Sequence, residues 1–106
     1  MSSLTLEELS RLYLGQTTTD GNGRELSVYD LEDSAARSEF SRAALSMSLT
    51  QLRAYRAKQV FTGRGRPPRQ LEAAELIERL QQNDQAIGYL PQDSARGLKI
   101  LYRVPP

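Results

Sequence analysis

The sequence predicts an α/β domain in which about four helices flank a small mixed sheet. Three observations carry this expectation. Helical and strand-like hydrophobic patterns interleave along the chain, its 106 residues suit a single domain spanning 1–106, and 39% hydrophobic with 25% charged residues is an ordinary globular balance.

The first helix has a defined start. Thr5 and Glu8 form a T-x-x-E capping box, Leu4 before the cap can staple onto Leu9, and Leu6, Leu9, Leu12 and Tyr13 mark one apolar face before Gly15. A helix over 5–14 follows. Asp20-Gly21-Asn22-Gly23 reads as a tight turn and lacks the further ligands of a calcium loop; Leu26 and Val28 then alternate as a strand over about 25–29.

Asp33 or Ser34 can cap the second helix, whose apolar positions are Ala36, Phe40, Ala43, Ala44 and Met47. Ser48 and Gln51 form another capping box and start a helix that ends near Gly63. Gly63-Arg64-Gly65-Arg66-Pro67-Pro68 is a loop, since its glycines and prolines do not suit a helix interior. A fourth helix is predicted over 70–82, with Ala73, Leu76, Ile77 and Leu80 opposite Glu72, Glu75 and Glu78. Strands are predicted over 86–90 and 98–104. Tyr13, Tyr55, Tyr89 and Tyr102 fall on apolar faces, as core tyrosines do.

The chain has no cysteine and no histidine, which removes disulfides, thiol nucleophiles, Cys/His metal sites and imidazole acid–base chemistry. An enzyme is therefore not expected, and no cofactor or metal site is read from the residues. No apolar run reaches the roughly 20 residues of a membrane span, and the first residues lack a signal peptide's pattern. The net charge of +1 is unevenly spread: Arg53, Arg56, Lys58, Arg64, Arg66 and Arg69 follow one another without an acid, whereas 25–39 holds Glu25, Asp30, Glu32, Asp33 and Glu39 against Arg37 alone.

Several blocks together resemble the phosphate-binding proteins of bacterial ABC transporters, and more narrowly their short single-lobe periplasmic relatives. They are Leu4-Thr5-Leu6-Glu7-Glu8-Leu9 leading to Tyr13-Leu14-Gly15, Phe40 within a helix, Val60-Phe61-Thr62-Gly63-Arg64-Gly65, and Gln85-Ala86-Ile87-Gly88-Tyr89-Leu90. The resemblance implies one lobe of a type 2 periplasmic-binding fold, a periplasmic setting, and an oxyanion site at helix N-termini, where backbone N–H groups and the helix dipole favour negative charge. It places ligand contacts at Ser34, Ala35, Ala36 and Arg37. The family motif resembles Arg-x-Asp-Gly-Ser-Gly-Thr, and here Asp30 stands in place of the arginine while Ala35 and Ala36 replace Gly-Thr. Glu32 and Asp33 add negative charge, and holding a dianion about 6 Å from an unpaired carboxylate costs on the order of 1–3 kcal/mol.

The resulting expectation is a non-enzymatic solute-binding-like domain with weak or lost binding of phosphate or another small oxyanion. The alternative is a protein-interaction module of the same fold, pairing with itself or with an envelope protein through Arg53, Arg56, Lys58, Arg64 and Arg66. Arg37 could close on an anion or pair with Asp33, and Ser34 could simply cap its helix. Arg64-Gly65-Arg66-Pro67 matches the core of an AT-hook, but it joins two helices rather than lying in a basic tail, so nucleic acid is not the expected partner. The family's upstream strand is not in this chain; without it the sheet would present an open edge to a second copy.

Overall fold

Both capping boxes form in the computed structural model, which describes residues 4–91 and 97–98. At the start of α1 (Leu6–Tyr13), the Thr5 hydroxyl accepts from the Glu8 N–H at 3.1 Å and the Glu8 carboxylate accepts from the Thr5 N–H at 2.9 Å. Leu4 and Leu9 are buried in the same core, but Leu6 is exposed. α1 closes through Gly15, whose φ of +72° lets the Gln16 N–H turn back to the Arg11 carbonyl at 2.9 Å. Ser48 and Gln51 repeat the reciprocal cap at α3 (Leu49–Phe61).

β1 (Ser27–Leu31) is central, with β2 (Arg69–Leu71) and β3 (Ala86–Ile87) parallel to it on either side. Tyr29 lies opposite Arg69 and Leu31 opposite Leu71; on the other edge Ser27 meets Ala86 and Val28 meets Ile87. Parallel strands need helical crossovers. α2 (Ser34–Phe40), a π-helical turn (Ser41–Leu45) and α3 connect β1 to β2, and α4 (Ala73–Gln82) connects β2 to β3. The described sheet is thus wholly parallel where a mixed one is predicted. Of the final predicted strand only Leu98 falls within the described residues, so that expectation lies outside them.

Three other expectations are corrected. β2 occupies residues read as the start of a helix: after Pro67-Pro68 the chain pairs with β1 and buries Leu71 beside Leu31, so α4 begins only at Ala73. The second helix widens into the π turn, which moves its apolar stripe by a residue. Ala44 and Leu45 are buried while Ala43, expected inside, is exposed. Ser41 fastens this turn, its hydroxyl donating to the Met47 carbonyl at 2.8 Å. β3 ends at Ile87 rather than Leu90, next to Gly88, where a Cβ would stand 2.6 Å from Leu76 Cδ1.

Alternation along β1 divides the core. Leu31 packs with Leu71, Leu76 and Tyr29 in a small cluster. Val28 joins the main cluster of Leu9, Leu12, Tyr13, Phe40, Leu45 and Leu52, and Asp30, two residues on, points to that same face. A carboxylate is thereby turned inward toward α3.

Candidate functional site

At the start of α2 the sequence-predicted ligand residues come together, but the Ala35 and Ala36 N–H groups and Arg37 Nη1 are already engaged. Asp33 is the N-cap: its carboxylate accepts from the Ala35 N–H at 2.9 Å and the Ala36 N–H at 3.3 Å. Ser34 is the first helical residue and is exposed. Arg37 is buried and pairs with no carboxylate among the described residues, so the surface pairing with Asp33 does not form; its Nη1 donates to the Leu31 carbonyl at 2.9 Å and to the Glu32 carbonyl. The guanidinium closes off the carboxyl end of β1.

Asp30 has an equally internal role. Its carboxylate accepts from Arg56 Nη1 at 2.6 Å and from the Tyr89 hydroxyl at 2.7 Å, with the Asp30 and Arg56 side chains 2% and 11% exposed. Tyr89 in turn accepts from the Leu31 N–H, and Arg56 Nη2 reaches the Tyr13 carbonyl at 3.2 Å. The Tyr13 hydroxyl donates to the Tyr29 carbonyl at 2.7 Å. Above these polar groups the rings of Phe40 and Tyr89 stack at 4.0 Å and Tyr13 meets Phe40 edge-on at 4.7 Å. Burial, reinforced by the nearby Asp30 charge, pushes the Tyr13 and Tyr89 hydroxyls well above the usual tyrosine range, so both remain donors at neutral pH.

The basic run divides in two. Arg56 is the half-buried member, committed to Asp30, whereas Arg53, Lys58, Arg64 and Arg66 are exposed and form no ion pair with a described residue. Beside Arg53, α3 and the chain entering β2 enclose an open groove of about 490 Å³, walled by Leu49, Leu52, Ala57, Val60, Phe61, Pro67 and Gln70 and edged by Arg37, Arg53 and Arg56. Phe61 is 93% exposed and Val60 53%. Full burial of a phenylalanine is worth about 1.5–3 kcal/mol, and this chain leaves nearly all of that unrealised. Arg56 Nε is the one buried side-chain nitrogen or oxygen among the described residues without a hydrogen-bond partner.

Phe61 and Val60 escaped the reading of the sequence as site residues. A signal was present: Val60-Phe61 sets two large apolar side chains at the end of α3, just before the 63–68 loop, where both stay exposed. Among the described residues no group of three or more potential ligands could hold a metal ion, and no helix is long and apolar enough to cross a membrane. No protein family, curated protein or solved structure matches the chain.

Proposed function

We propose that this chain is a non-catalytic, solute-binding-like lobe that has lost oxyanion binding and works as a protein-interaction module. The supporting observation is the closure of the α2 start. An incoming phosphate would have to displace the Asp33 carboxylate from the Ala35 and Ala36 N–H groups, and the Arg37 Nη1 donors could serve it only by abandoning the Leu31 and Glu32 carbonyls. Each surrendered carbonyl or carboxylate contact costs about 1–3 kcal/mol if it is left unsatisfied. The dianion would also meet the negative charge of Asp33 and Glu32. Asp30, at the position of the motif's arginine, is turned to Arg56 and offers an anion nothing.

The interaction reading draws on the other side of the molecule, where cationic and apolar side chains stand together without partners in the fold. A periplasmic or envelope setting accompanies the family resemblance and belongs to this proposal.

The test is a phosphate titration followed by backbone amide NMR and thermal unfolding, at constant ionic strength with sulfate and chloride controls. The amides of Ser34 to Arg37 are expected to stay in place and the melting temperature to be unchanged. Joint, saturating shifts below about 1 mM, with the roughly 2.7 kcal/mol of stabilisation that a hundredfold excess over Kd confers, would restore the solute-binding function and end this reading.

A further inference from the structure

We infer that the groove between α3 and the chain entering β2 receives an acidic peptide segment of a partner protein, one that presents an apolar side chain to Val60 and Phe61 and a carboxylate to Arg53. This rests on the interaction reading above and names its partner chemistry.

Charge complementarity selects the occupant. Arg53 borders the groove, Lys58, Arg64 and Arg66 are exposed on the same helix and the loop that follows it, and no acid occurs from Arg53 to Arg69. A second copy docking the same face would set these cations against one another, which like-charge repulsion opposes. The chain's own last residues carry Lys99 and Arg103 and no acid after Asp93, so they share the groove's sign and do not complement it. Arg53 is the cation at this edge that an incoming carboxylate can reach: it is exposed, whereas Arg56 on the same wall is held by Asp30 and the Tyr13 carbonyl. The groove's volume, about 490 Å³, holds a few side chains rather than a folded domain.

Phe61 supplies the affinity and the arginines the selectivity. An aromatic residue fully exposed beside arginine has the composition of an interface anchor, with the charges steering an acidic segment onto it.

The experiment uses two fluorescein-labelled peptides with the same leucine and phenylalanine residues, one spaced by glutamate and aspartate and the other by lysine, titrated with the whole chain and followed by anisotropy. The acidic peptide should bind saturably, the basic one should not, and added salt should weaken the complex. Phe61→Ser and Arg53→Glu should each reduce affinity about tenfold or more without changing the far-ultraviolet circular dichroism. Equal binding of both peptides, or of neither, overturns the proposal, as does selective binding to anionic phosphatidylglycerol vesicles. Concentration-dependent mass in sedimentation that Phe61→Ser abolishes also overturns it, since the occupant is then a second copy; in that case the interaction reading survives. Only the phosphate response at Ser34 to Arg37 ends the interaction reading itself.

Discussion

The start of α2 and the outer face of α3 each set arginine beside a surface a ligand could reach, and they use it in opposite ways. At α2 every cation and N–H donor described above has an acceptor within the chain: Asp33 holds Ala35 and Ala36, and Arg37 holds the carbonyls of Leu31 and Glu32. On α3, Arg53 and Phe61 have no such partners among the described residues, and Arg56, which also lines the groove, reaches inward to Asp30. Positive charge near a helix end therefore says little about binding until the destination of each donor is known. What distinguishes the two regions is satisfaction, not charge.

The strongest way to break this contrast is to cut the link between them. Arg56→Met strands the Asp30 carboxylate in the core and should cost about 3–5 kcal/mol, read as a lower urea midpoint, because a buried charge loses its counter-ion. Adding Asp30→Leu to the same chain should recover much of that loss, since a well-packed apolar pair of similar volume often matches a buried ion pair. If the double variant is no more stable than the single one, Asp30 serves the fold through Tyr89 rather than through Arg56.

Tyr89→Phe tests that second contact and is expected to cost about 1–3 kcal/mol, because Asp30 Oδ1 loses a donor and the Leu31 N–H its acceptor. It also has a pH signature. Burial raises the Tyr13 and Tyr89 hydroxyls above the ordinary value near 10, so the folded state holds these protons more tightly than the unfolded one. Their contribution is complete below about pH 10 and falls as pH rises beyond it. The alkaline limb of stability against pH should be shallower in Tyr89→Phe than in the parent chain.

Much of the frame was legible because its determinants are local. The boxes Thr5 with Glu8 and Ser48 with Gln51 specify helix starts through side chains three residues apart, and Gly15 specifies a stop through its own φ. β2 was not legible, since three residues carry no periodicity and are extended only because β1 is there to pair with them. The π turn was missed for a different reason: nothing in Ser41-Arg42-Ala43-Ala44-Leu45 announces a wider turn, and the bond from the Ser41 hydroxyl to the Met47 carbonyl, six residues on, helps fix it. At the site, residue types located the arginines but not their acceptors. Arg37 and Arg56 look alike in sequence to Arg53, and burial alone separates them.

Asp33→Ala sharpens the comparison from the closed side. Loss of the N-cap should cost about 0.5–2 kcal/mol, measurable by urea denaturation. The same substitution frees the Ala35 and Ala36 N–H groups and removes a negative charge, so their NMR resonances should become responsive to phosphate while those of the parent chain do not. A silent Asp33→Ala chain would mean that Arg37, still held by its two carbonyls, is the component whose diversion closes the site.

The smallest effect is expected on the open side and is the most discriminating for that reason. Phe61 is 93% exposed, so Phe61→Ser removes almost no burial, and its urea midpoint should match the parent chain within about 0.5 kcal/mol. A side chain that contributes nothing to folding stability is free to be used in binding. If the substitution instead destabilises the chain by more than about 1 kcal/mol, Phe61 is packed in solution, and the groove belongs to the fold rather than to a partner.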